Sequence, residues 1–116
     1  MSGIRIVVDG ITNVELREIA GERFGDLVKA VVDIERRVMA IGGELHADEE
    51  QALLDQGSKQ EDLWGINLYP DADGDGFLEF DSMINLRPSQ GNRSRGVEDP
   101  EIRERIRALI VAFVRT

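Results

Sequence analysis

The chain reads as an α+β domain, a two-layer, mostly antiparallel sheet with helices on one face, in the order β-α-β-β-α-β-β-α. Three observations predict it. Short runs rich in Val, Ile and aromatic residues alternate at period two, as half-buried strands do. Explicit cap and stop residues bound the helical stretches between them. Near the end of the chain, Ile102, Ile106, Leu109, Ile110, Phe113 and Val114 form one apolar stripe at helical spacing.

The first strand is Ile4-Arg5-Ile6-Val7-Val8. Thr12 and Glu15 have the spacing of a capping box. Leu16, Ile19, Ala20 and Phe24 follow at helical spacing, and Gly25 is a stop signal. Residues 28–35 and 38–45 predict two strands of a hairpin turning at Glu35-Arg36-Arg37. A single helix over 26–41 fits the apolar spacing as well, but the β-branched content and Gly42-Gly43 favour strands. A short helix is expected over 48–56, with Asp48 and Gln51 as the cap signal and Gly57 as the stop. A second hairpin joins 63–69 to 77–86. Pairing Trp64 with Ser82, Ile66 with Phe80 and Leu68 with Leu78 gathers the large apolar groups on one face, and a one-residue slip scatters them. Residues 87–98 are a polar connection, after which Asp99 caps the last helix and Pro100 takes its first position.

At 116 residues the chain is one domain, residues 1–116. It has no cysteine and a single histidine, which excludes disulfides, thiolate metal sites, cysteine nucleophiles and a multi-histidine metal site within one chain. The N-terminal residues lack the layout of a signal peptide. The longest apolar run, 108–114, is too short to cross a bilayer. A cytoplasmic protein, monomer or homodimer, with no membrane partner is expected. The net charge of -9 argues against general nucleic-acid binding. That charge is uneven: residues 87–116 hold seven arginines against four acids, and residues 1–86 hold seven basic residues against nineteen acids.

The most specific segment is 71–82. Asp71, Asp73 and Asp75 stand at positions 1, 3 and 5 of a calcium loop, Gly76 at 6 and Glu79 at 9. Position 12 is Ser82, where the motif requires a bidentate glutamate, and the flanks read as strands rather than helices. The pattern therefore fits an acidic hairpin turn better than a calcium site, with calcium kept as the candidate cation.

The second candidate is the loop Arg87 to Gly96. Arg87, Ser89, Gln90, Asn92, Arg93, Ser94 and Arg95 supply guanidinium, hydroxyl and amide groups suited to a phosphate, a carboxylate or a protein surface. Glu98, Asp99 and Glu101 at the following helix start oppose an anion there. His46 stands beside Glu44, Asp48 and Glu49 where a strand gives way to a helix, and is the weak candidate for acid-base catalysis. On the outer face of the second hairpin, Asn67, Tyr69, Glu79, Asp81, Asn85 and Arg87 form a polar surface, with Asp81 and Arg87 as a candidate ion pair.

The stretches Met39-Ala40-Ile41-Gly42-Gly43-Glu44-Leu45-His46-Ala47-Asp48-Glu49-Glu50, Gln56-Gly57-Ser58-Lys59-Gln60-Glu61-Asp62-Leu63-Trp64-Gly65-Ile66-Asn67-Leu68-Tyr69-Pro70 and Arg87-Pro88-Ser89-Gln90-Gly91-Asn92-Arg93-Ser94-Arg95 resemble a family of small bacterial proteins grouped as a domain of unknown function. The resemblance covers nearly the whole chain and implies no activity, substrate or catalytic residue.

Three functions are consistent with these residues. The leading one is a non-enzymatic binding module that meets a protein or small anionic ligand through the 87–96 loop and the polar sheet face. The alternatives are an enzyme acting on a phosphorylated or other anionic substrate, with His46 as acid-base group, and a weak calcium-binding protein.

Overall fold

The computed structural model describes residues 3–115. Its main sheet has five strands in the order β1-β4-β3-β5-β6: Arg5–Val7, Val38–Ile41, Val28–Asp33, Leu63–Leu68 and Leu78–Glu79. Every pairing in it is antiparallel. Among the described residues there are three α-helices, α1 at Asn13–Arg23, α2 at His46–Asp55 and α3 at Pro100–Phe113. The expected α+β order and antiparallel sheet are what forms. A feature absent from the sequence reading is a two-stranded parallel pair, β2 at Ile11–Thr12 with β7 at Val114–Arg115, which ties the end of α3 to the start of α1.

Local chemistry accounts for these elements. Thr12 and Glu15 form the reciprocal capping box of α1, and Arg5 on β1 bonds the Glu15 carboxylate at 2.8 Å. Gly25, at φ +90°, closes the helix by donating to the Ala20 carbonyl. The β3–β4 hairpin, and not a helix over 26–41, occupies the ambiguous segment. Its turn is held by the fully buried Asp33, whose Oδ1 accepts from Glu35 N and Arg36 N and whose Oδ2 accepts from Ser58 Oγ at 2.6 Å. Such side chain to backbone bonds make Asp a turn former.

Strand periodicity divides the sheet into two faces. Val28, Ala30, Val32, Met39, Ile41, Trp64, Ile66 and Leu68 turn to one side. There they pack on Leu16 and Ala20 of α1 and on Ile106, Leu109, Ile110 and Phe113 of α3. These two layers match the expected arrangement. The third helix departs from it: α2 lies on the opposite face, where Leu53 packs with Val31, Ala40 and Leu63. It covers β3 and β4 but not the far end of that face.

The second hairpin begins in the expected register, Leu68 opposite Leu78, then departs. Strand β6 ends at Glu79, so the expected pairs Ile66–Phe80 and Trp64–Ser82 do not form. The reason is an amide in the place of a strand. Asn85, in a 3₁₀ turn at Met83–Asn85, accepts from Gly65 N at 2.8 Å and donates to Gly65 O at 2.9 Å. The same side chain donates to Arg95 O at 2.9 Å. A Cβ on Gly65 would lie 2.5 Å from Ser82 Cβ, so the crossing needs a bare Cα there. Helix α2 also starts earlier than expected: Leu45 is its N-cap and makes no side-chain cap bond, so Asp48 lies inside the first turn.

Truncating Asn85 to Ala leaves the Gly65 N–H and C=O buried and without partners. It is expected to cost about 2–4 kcal/mol in urea unfolding. Gly65→Ala should cost at least about 2 kcal/mol by overpacking. Wild-type stability in either variant would show that the crossing does not hold this part of the fold.

Candidate functional site

Because α2 stops short, one end of its sheet face is open. Lys29, Asn67 and Glu79 stand in register across β3, β5 and β6. Tyr69 and Asp81 follow at the next same-face positions of their segments. The first turn of α2 brings His46 to one side of this row, and the return of the chain after the 3₁₀ turn brings Arg95 to the other. Together they line an open cleft of about 570 Å³, with Phe24, Leu27, Leu45 and Met83 among the apolar residues around it. This volume is in the range of small-molecule sites.

The polar groups form a connected set. Glu79 Oε1 accepts from Asn67 Nδ2 and from the Tyr69 hydroxyl, both at 2.9 Å. Asn67 Nδ2 also donates to the Asp81 carbonyl at 3.2 Å. Two acceptors on its nitrogen fix the orientation of the amide, whose Oδ1 is buried and makes no hydrogen bond. Burial first, and then the Glu79 bond, push the Tyr69 hydroxyl up to about 12, so it remains a donor at neutral pH. Asp81 Oδ1 accepts from Arg95 Nε at 2.6 Å. The candidate Asp81–Arg87 pair is therefore replaced by Asp81–Arg95.

His46 is half-buried, with Nε2 2.8 Å from the Ile66 carbonyl. A carbonyl only accepts, so Nε2 carries the proton and the neutral ring keeps a lone pair on Nδ1. Burial holds the imidazole below its ordinary value, against the Ile66 carbonyl and the Asn67 side chain, which favour the charged form. The result is a neutral histidine of one tautomer at the edge of the cleft.

The sequence-level candidates divide between scaffold and surface. Arg87 folds inward: its guanidinium stacks 4.2 Å over the Trp64 ring and donates to Leu63 O at 2.6 Å. Asn92 is buried, donating to Asn85 O and Gly96 O and accepting from Glu98 N, so it organises the loop. Gln90 donates to Glu61 O. Ser94 Oγ accepts from Gly96 N. Ser89 is exposed within a short 3₁₀ turn, and Arg93 is exposed, its backbone N–H bonded to Glu98. Of the seven, only Arg95 lines the cleft. In the acidic turn, Asp71 pairs with Arg17 at 2.8 Å, Asp73 and Asp75 are exposed, and Glu79 belongs to the cleft. No group of three or more His, Asp or Glu placed to hold a metal ion forms among the described residues. No described helix is long and apolar enough to cross a membrane.

Lys29 was missed as a site residue because, on a Val-rich strand, nothing local marks a single lysine as facing an uncovered patch. Glu49 was missed as a buried group. It is fully buried in the first helical turns of α2, its Oε2 accepts from Gly43 N at 2.9 Å, and its Oε1 makes no hydrogen bond. A Cβ on Gly43 would lie 2.8 Å from Glu49 Cγ, so the glycine admits the carboxyl.

Residues 5–113 match the model of a family described as Protein of unknown function (DUF5674). No curated protein and no solved structure matches the chain.

Burial raises the Glu49 carboxyl from 4.5 to about 9. The folded state thus holds this proton while the unfolded chain releases it above its ordinary value. Stability from this group is complete at low pH and falls as pH rises from about 4.5 to about 9. At pH 7 the cost is about 3 kcal/mol, from roughly 1.4 kcal/mol per pH unit. Glu49→Gln should be more stable than wild type at pH 7–8 in urea unfolding, with the gap closing toward pH 4.5. A gap that does not change with pH would show that Glu49 is ionised in the fold.

Proposed function

We propose that this chain, which belongs to the family described as Protein of unknown function (DUF5674), is a binding module that holds a small polar ligand in the open cleft beside α2. The observation that carries this reading is the polar row Lys29–Asn67–Glu79 on a sheet face that α2 leaves uncovered. On that row Asn67 and Glu79 are held by one another and by Tyr69, so a ligand meets groups already in place. Such preorganisation lowers the entropy cost of binding. The 87–96 loop contributes Arg95 to the cleft lining, while its Arg87 holds to the β5 backbone at Leu63 O and its Asn92 to Asn85 O.

A second reading is catalytic, and one observation favours it. His46 is neutral with its proton on Nε2, so Nδ1 is positioned as a base whose partner nitrogen is oriented by a carbonyl. That is the arrangement a general base requires. Its substrate would be a small molecule held by the same row.

Screening polar small molecules by thermal shift and by backbone amide NMR tests both readings. Binding should move resonances of Lys29, His46, Asn67 and Arg95. Ala47→Trp, which fills the cleft from α2, should abolish the effect, and Arg93→Ala, outside the cleft, should not. A ligand whose shifts map to Arg93 and not to the cleft would sink the proposal. With a ligand in hand, His46→Gln separates the two readings: binding with lost turnover supports catalysis.

A further inference from the structure

We infer that the ligand is a zwitterion, a free amino acid with an apolar side chain, its ammonium on Glu79 and its carboxylate on Lys29. This rests on the cleft being the binding site.

The argument begins with the charges. Arg95 and Asp81 neutralise each other at 2.6 Å, and His46 is neutral. Glu79 and Lys29 remain. Among the described residues neither has an oppositely charged partner within salt-bridge distance. Glu79 is held through Oε1 alone by two neutral donors, Asn67 and Tyr69. The Lys29 ammonium instead sits 4.9 Å from the centroid of the Phe24 ring. One carboxylate and one ammonium thus flank a neutral asparagine in a single cross-strand row. Their backbones are two strand spacings apart, roughly 10 Å.

A simple anion would meet Lys29 but be repelled by Glu79, and a simple amine would meet the reverse. A neutral polyol would hydrogen-bond to both groups but neutralise neither charge. A molecule carrying both charges satisfies both. The rim supplies the rest of the description. Phe24, Leu45 and Met83 are large hydrophobic residues 39%, 54% and 62% exposed, and all three line the cleft. Apolar groups converging on a few placed polar ones are the usual composition of a small-molecule site.

The test is a titration of the full chain with L-phenylalanine, L-leucine and L-methionine, followed by calorimetry and amide NMR. N-acetyl-L-phenylalanine removes the ammonium and L-phenylalaninamide removes the carboxylate. At least one amino acid should bind saturably, with each blocked form at least tenfold weaker. In Glu79→Gln the penalty for acetylation should disappear, and in Lys29→Met the penalty for amidation should disappear. Both residues lie on the surface of the sheet, so thermal melts should confirm folded variants. Equal binding of a blocked form, or no binding of any of the three amino acids, overturns the zwitterion. If other compounds still shift Asn67 and Tyr69, the cleft stands as the site and only the ligand class falls. If no compound shifts them, both readings fall.

Discussion

The fold depends on the contact between Gly65 and the Asn85 amide. At the outer edge of β5 the backbone has donors and acceptors that a sixth strand residue would ordinarily satisfy. Here the Asn85 side chain meets both, at 2.8 and 2.9 Å, and extends the pattern to Arg95 O. Asn92 then bonds Asn85 O and Gly96 O, so two buried asparagines hold a connection that has almost no apolar content. A buried polar network of this kind specifies one arrangement because each misplacement strands a donor or acceptor away from water. The route of the chain from 80 to 98, and with it the position of Arg95, follows from that constraint.

The cleft is a consequence of the same crossing. Had β6 continued opposite β5 to Ser82, the strand pair would have extended past Glu79, and Asp81 would have remained on an ordinary strand surface. Instead the chain turns at Ser82, whose Oγ accepts from Ile84 N, and returns Arg95 to Asp81. On the other side α2 begins at His46, not at Asp48, with Leu45 at the cap and no side-chain cap bond. Glu49 anchors that early start by reaching Gly43 N. The cleft is therefore the gap left between a helix that begins beside the sheet end and a strand that stops after two residues.

Much of this was legible in the sequence, and particular residues show why the remainder was not. Most local signals were reliable, the Asp48 cap excepted: Thr12 with Glu15, Gly25, Gly57 and Asp99 with Pro100 act within one or two turns, and each stands where the chain begins or ends a helix. Period-two alternation placed β3, β4 and β5 and the register of Leu68 with Leu78. Most of what failed was long-range. Asn85 reads as a strand residue until one knows that Gly65, twenty positions away, lies beneath it. Arg87 reads as a binding residue because the sequence cannot show Trp64 waiting under its guanidinium. The parallel β2–β7 pair joins residues about a hundred positions apart and has no local pattern.

The polar row itself had a half-legible form. Asn67, Tyr69, Glu79 and Asp81 were readable as one outward face of a hairpin, since alternation alone assigns them to it. Alternation also assigns Lys29 to the same face, but only after the β3–β5 register is known, because a shift of one residue would send the lysine to the core side. A lysine on the core side would face the packed apolar layer of α1 and α3, where an ammonium without a partner is costly. That cost helps set the register. With Lys29 on the open face, the core side of β3 is uninterrupted as Val28, Ala30 and Val32. The residue that gives the cleft its positive end is thus also one that keeps the strand in place.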